Sequence, residues 1–505
     1  MLNRRSHLLA AAAILVVVPG AAGADTLRDA LLKAYNSNPT LTGQRAAQRA
    51  NDENVPIQRA AGLPSANVQG DYTENLLNSG TNFTSVARSV NGQALVSLPV
   101  YSGGAVKNSV RAAKTRVEAG RDQLRSTEAT VFTNVVGAYM DVIRDEAIVG
   151  LNTQNVKVLD VNLEATRDRF QVGDLTRTDV AQSEARLSIA RAQLQTAQAN
   201  LIASRENYVR FVGTAPGTLD APPILPNLPA SPDSAVDVAL DRNPALLAAQ
   251  KERDASGYDI SVARAGRLPT VSVTGGGTYT NYLGSLNSGQ GFPVGQSGVG
   301  ATAGVTLRLP LFQGGRPGAQ VRQAQALRSQ AIEQVTETER GVIAQARSAY
   351  AIWQSSQQVI QSSEAAVSAN KLSLEGVRAE NSVGTRTILD ILNAEQELLN
   401  SQVTLVTARR DAYVAGFALL AAMGEAEAKD LGLNGGPLYD PVANYNRVRH
   451  RINDFDSDPA PQPVASTTRT TPAQGAQVTK SLDPMLESDV DRGAPLTTGE
   501  NAPNR

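Results

Sequence analysis

The sequence predicts an α+β membrane protein, in which β-strands of bilayer-crossing length are joined to helices far longer than a globular core can use. Three observations carry this reading. The chain is an internal duplication. Each half holds two alternating segments of 11–13 residues, and each then runs for more than 60 residues without a proline. Composition points the same way: of 505 residues 41 are Gly, and aromatics are only 4%, thin for one large core. There are no cysteines and two histidines, His7 and His450. Disulfides, thiolate metal sites, cysteine nucleophiles and histidine chemistry therefore lack material, and no metal, cofactor or catalytic residue is expected. With 47 Lys+Arg against 48 Asp+Glu, the chain lacks the basic surplus of a nucleic-acid binder.

Taken in order, residues 1–24 read as a signal peptide. Arg4 and Arg5 precede an apolar run from Leu8 to Val18, and Ala22 and Ala24 flank Gly23 as a small-residue cleavage site. The run is about half the roughly 20 residues that a spanning helix needs. Two repeats follow, 25–230 and 231–435, and then a polar tail over 436–505 that reads as disordered, most clearly from about 455. Asn38 and Pro39 recur as Asn243 and Pro244, at an offset of 205. Leu98, Pro99, Gly103 and Gly104 recur as Leu309, Pro310, Gly314 and Gly315, at an offset of 211, which then holds for Asp179 and Asp390. The six extra residues fall in a loop near 283–298, where insertions cost little.

Each half is expected to run helix, two strands, very long helix, sharp turn, shorter helix. The strands are 66–76, 90–100, 270–282 and 299–311. In the last, Val299, Ala301, Ala303, Val305, Leu307, Leu309 and Leu311 oppose Thr302, Thr306 and Arg308. Period two gives one dry and one wet face. The lengths exceed the usual five or six residues of a soluble strand and suit a tilted membrane strand of about 9–11. Four strands cannot close a barrel, and open edges are not tolerated in lipid. The strands must therefore be pooled among copies, and three copies would supply twelve. Gly275, Gly276 and Gly277 read as a device for close packing or a bend.

The long helices span 105–172 and 318–383, about 100 Å at about 1.5 Å per residue. Apolar residues recur every seven: Val135, Val142, Val149, Val156, Leu163 and Phe170, then Val180, Leu187, Leu194, Leu201 and Tyr208. The second half repeats this with Trp353, Ile360, Val367 and Leu374, then Ile391, Leu398, Leu405 and Leu419. Such a narrow seam leaves most of each helix wet, as the wall of a hollow tube would be. Gly173 and Gly384 supply the φ > 0 that ends a helix sharply, with Asp174 or Thr385 expected to cap the next one.

Residues 172–180 and 383–394, with the Gly-Gly junctions and the duplication, resemble the TolC-type outer membrane efflux proteins over about 25–435. The resemblance implies a homotrimer, with a 12-stranded barrel in the outer membrane continuous with a 12-helix periplasmic α-barrel. An equatorial girdle would come from segments like 214–240 and 425–445. It implies a passive exit duct for type I protein secretion or drug efflux, in contact with outer-membrane lipid. A periplasmic adaptor would dock at the turns around Gly173 and Gly384, and an inner-membrane pump of ABC or RND type would supply the energy. The lack of a cysteine after the leader fits the unlipidated branch.

It further implies a periplasmic gate at Thr178, Asp179 and Arg386, with Arg386 bonding Thr178 and Asp179 of a neighbouring hairpin. Asp390 would form a lumen ring. Two positions depart from the family pattern: Asn381 stands where it has tyrosine, and Asn393 replaces a second ring aspartate, so the ring would carry three carboxylates instead of six. The competing reading, a periplasmic coiled-coil scaffold without a pore, explains the helices but not the strands. No Ser-His-Asp set, HExxH or phosphate loop supports an enzyme.

Overall fold

The computed structural model describes residues 25–77, 84–288, 292–433, 437–478 and 480–487, so the proposed leader lies outside them. The first half begins with α1 (Leu27–Ser37), α2 (Pro39–Asp52) and α3 (Asn54–Ala60). It continues through β1 (Ser65–Glu74), β2 (Thr84–Ser85) and β3 (Arg88–Tyr101) to α4 (Ala105–Gln171) and α5 (Arg177–Val212). The second half has α6 (Pro232–Arg242), α7 (Pro244–Ala265), β4 (Thr270–Asn281), β5 (Asn287–Ser288), β6 (Ser297–Arg308), α8 (Arg316–Ser382) and α9 (Ile388–Met423). A last helix, α10, spans Pro441–Val448. The long helices have 67 residues in both halves and the shorter ones 36.

The single opening helix expected in each half is broken. Asn38 and Asn243 stand at extended backbone and cap α2 and α7 through their side-chain oxygens, while Pro39 and Pro244 occupy the first helical positions. The same asparagines reach back across the fold. Asn38 Nδ2 donates to Phe211 O at the end of α5, and Asn243 Nδ2 to Ala422 O at the end of α9, each at 2.9 Å. One side chain thus starts one helix and closes another, which ties the first turn of α2 to the last turn of α5 and that of α7 to the last turn of α9. The fit is tight: a Cβ on Gly424 would lie 2.5 Å from Arg242 O.

The four long strands form one antiparallel sheet in the order β1-β3-β4-β6. Val68 pairs with Ala94, Ala94 with Gly277 and Gly277 with Ala301. Directly paired residues share a face, so this register gathers Val68, Tyr72, Val96, Leu98, Val273, Tyr279, Val299 and Val305 on one side. Asn67, Gln69, Asn91, Gln93, Thr278 and Thr302 fall on the other. The apolar face is open: Val68 and Val299 are each 85% exposed. β1 and β6 are unpaired edges. Leu309 and Leu311, read as part of the last strand, lie beyond its end at Arg308. Gly276 marks a close approach, since a Cβ there would sit 2.8 Å from Ala94 O.

Within the helical part α4 packs on α5 and α9, and α9 on α8, so the order is α5-α4-α9-α8. Of two helices of equal length, α4 buries 26 residues and α8 nine; α9 buries 18 and α5 eight. The inner pair α4/α9 is covered and the outer pair is bare. Most of the heptad residues are buried, with Val135, Val142, Leu201, Ile391 and Leu405 fully enclosed, each burial contributing about 1.5–3 kcal/mol. Phe170, at the end of α4 beside the turn, departs from its row and is 43% exposed. Midway along α4 a collar of α1, the 214–230 link and 425–433 encloses Phe132 and Tyr139. Tyr139 Oη donates to the carbonyls of Asp25 and Asp220. No helix among the described residues is long and apolar enough to cross a membrane.

Over its described residues, 437–478 and 480–487, the polar tail departs from its reading as disordered. Beyond α10 these described residues form no regular helix or strand, yet 474–478 and 480–487 lie against α4, α5 and α9, with Leu486 buried. Apolar Val478, Leu482, Met485 and Leu486 within the polar stretch hold it there.

Candidate functional site at the hairpin tips

The two turns at the far end of the helices are built alike. Gly173 (φ 85°) and Gly384 (φ 84°) take the left-handed conformation that costs glycine nothing. Gly173 N bonds Phe170 O and Asp174 N bonds Arg169 O. Gly384 N bonds Asn381 O and Thr385 N bonds Glu380 O. These paired bonds close the last carbonyls of α4 and α8.

The caps of α5 and α9 are Thr176 and Thr387, not Asp174 and Thr385. The glycine turn uses the residue after the glycine to bond back into the preceding helix, so the next helix starts later. Each threonine forms a reciprocal capping box three residues on. Asp179 Oδ2 accepts from Thr176 N (2.8 Å) and Thr176 Oγ1 (2.7 Å). Asp390 Oδ2 accepts from Thr387 N (2.9 Å) and Thr387 Oγ1 (2.7 Å). The Thr387 hydroxyl, then its backbone N–H, hold the Asp390 carboxyl below the usual carboxylate range. Both aspartates singled out from sequence thus serve their own helices first.

The turns differ in their braces. In the first, Arg169 Nε donates to Asp174 Oδ2 at 2.6 Å. In the second the signs are reversed, and Arg386 Nε donates to Glu380 Oε2 at 2.7 Å. Within one chain Arg386 is therefore engaged on its own hairpin, and its backbone carbonyl accepts from Asn381 Nδ2 at 2.7 Å. Asn381 Oδ1 is buried without a hydrogen-bond partner among the described residues. Thr178 is exposed. Asn393 does join the hairpins: Arg186 Nη2 on α5 donates to Asn393 Oδ1 on α9 at 2.7 Å. Arg186 escaped the sequence reading, although it stands seven residues after Asp179 and so in the same heptad column.

Against known proteins, residues 30–214 and 235–425 match the family described as Outer membrane efflux protein. The chain is 34% identical over 448 residues to the outer membrane efflux protein BepC of Brucella suis biovar 1, covering 88% of this chain and 96% of that one. It is 28% identical over 472 residues to the outer membrane protein TolC of Escherichia coli K12, covering 90% and 94%. A solved structure of CusC, described for its transmembrane channel formation, shares the fold at a TM-score of 0.69 and 19% identity, covering 79% of this chain and 92% of that one.

Proposed function

Because the chain belongs to the outer membrane efflux protein family and is an outer-membrane export channel, not an enzyme, we propose that three copies complete one passive duct. The observation that carries this is a pair of open arcs. The sheet ends at β1 and β6, and the helices end at α5 and α8, each end bare where the middle is covered. Unpaired strand edges have no place in lipid. Joining β6 of one copy to β1 of the next, and α8 to α5, satisfies both arcs with one operation and gives twelve strands and twelve helices. The apolar face meets outer-membrane lipid, and the polar face meets a watery lumen.

The hairpin tips then form the periplasmic mouth. A periplasmic adaptor docks at the turns around Gly173 and Gly384, and an inner-membrane ABC or RND-type pump supplies the energy, for protein secretion, drug efflux or both. Arg386 exchanges Glu380 for Thr178 and Asp179 of a neighbouring copy in the closed mouth. A pair this exposed contributes about 0.2–1 kcal/mol, and three symmetry copies hold the mouth weakly enough for a docked adaptor to open it. Asp390 lines the lumen as a ring of three carboxylates, while Asn393 is spent on Arg186.

The test is planar-bilayer recording of the purified, outer-membrane-derived protein, after confirming that it runs as a heat-sensitive trimer. Wild type is expected to give a small, steady conductance and Arg386→Ser a larger one. An unchanged conductance removes Arg386 from the gate; a soluble monomer removes the duct.

A further inference from the structure

Where the two hairpins meet, α4 and α9 leave a shallow seam, and the C-terminal segment lies in it. Gly150 makes a notch on α4, which Leu482 fills: a Cβ at Gly150 would stand 2.9 Å from Leu482 Cδ2. Leu486 is buried beside Leu151, Leu405 and Val406. Polar bonds fix the segment to α5, α9 and α8, while its contact with α4 is apolar. Gln474 N donates to Glu206 Oε1 on α5, and Arg205 donates to Gln477 O. Gln402 Nε2 on α9 donates to Leu486 O at 2.9 Å, and Arg409 Nη1 pairs with Asp483 at 2.8 Å. Lys371 Nζ on α8 donates to Glu487 O. Lys480 Nζ anchors the segment to Leu219 O in the collar at 2.7 Å. The segment roofs a cavity of about 530 Å³ between Ile143, Ala147, Val406 and Tyr413.

We propose that residues 474–478 and 480–487 form a releasable strap that clamps the first hairpin to the second across the α4/α9 seam and thereby restrains opening of the mouth. Three features argue for a clamp over a passive tail. The apolar side chains enter a notch shaped for them. The bonds run to the first hairpin over 474–477 and to the second over 483–487, so the segment bridges the two. Its described residues form no helix or strand of their own, so the segment can peel away without unfolding what it covers. The strap lies well up the helices from the turns, where it holds the spacing of the two hairpins by leverage.

This inference rests on the duct reading, and its test separates the two. The full-length trimer is compared with a chain ending at Gln477 and with Gly150→Leu, which fills the notch while keeping the tail. Hydrogen exchange over 143–151 and 402–410 is expected to quicken at least tenfold in both. Conductance in a planar bilayer is expected to rise at least twofold in both, and a synthetic peptide of residues 474–487 is expected to reverse both effects in the truncated chain. Exchange unchanged in both variants, conductance unchanged despite faster exchange, or a peptide without effect would each overturn the strap. A wild-type protein that forms no channel at all would instead remove the duct.

Discussion

Arg167 and Glu184 pair across the first hairpin; Arg378 and Glu395 pair across the second, each 211 residues further along. The first pair is half in water, with side chains 54% and 49% exposed; the second is enclosed at 12% and 11%. Around the second lie Leu374, Ile391 and Leu398, each one turn away and buried. Enclosure comes at a cost. Burial pushes the Glu395 carboxyl up despite Arg378, and the Arg378 Nε and Nη1 find no partner among the described residues. The two hairpins thus share lengths, turns and caps and differ in surroundings. Duplication preserved what a hairpin needs to fold and let its environment drift.

The largest effect should separate the hairpins most. Glu395→Ala strands a buried guanidinium and should cost about 3–5 kcal/mol, while Glu184→Ala should stay within about 1 kcal/mol. Denaturant midpoints of the two variants measure this. A large cost at Glu184 in the assembled protein would break the contrast by showing that a neighbouring copy covers it. Next come the turns, where the hairpins should agree. Gly173→Ala and Gly384→Ala should each lose about 1–2 kcal/mol, the penalty of a side chain at positive φ. Hydrogen exchange at the two turns reads both, and unequal losses would mean that the turns are not equivalent.

A smaller shared effect is expected at the caps: Thr176→Ala and Thr387→Ala should each cost about 1 kcal/mol, seen as fraying of the first turn of α5 or α9. The smallest is a pH effect in the second hairpin. The folded Asp390 carboxyl lies below its ordinary value of 3.8, so its capping contribution is present above that range and is lost as pH falls through the lower value. Exchange protection over 388–391 should persist to below pH 3.8; fraying already above that value would contradict it.

Much of this was legible in the sequence because it is periodic. The duplication, the alternating strands and the heptad rows are patterns, and Val135, Leu201, Ile391 and Leu405 are buried as their spacing predicts. What escaped depends on elements distant in sequence. Asn38 is visible as a repeat marker, but its second bond needs Phe211 O beside it. The Arg186–Asn393 link needs two helices to be neighbours first. The caps were misplaced by two residues, because the glycine turn consumes the nearer candidates. The tail misled through composition: a few apolar residues in a polar stretch look idle until a notch such as Gly150 exists to receive one.

Identical helix lengths in the two halves make the protein a gauge. A seven-residue cut in α4 and α5 alone would keep the heptads in phase yet raise one tip by about 10.5 Å relative to the other. In the proposed three-copy duct the end would then be scalloped, and a ring-shaped partner would seat on alternate points only. Any change in reach must therefore be made twice, in step, which ties the evolution of the two halves to the width of the compartment they cross.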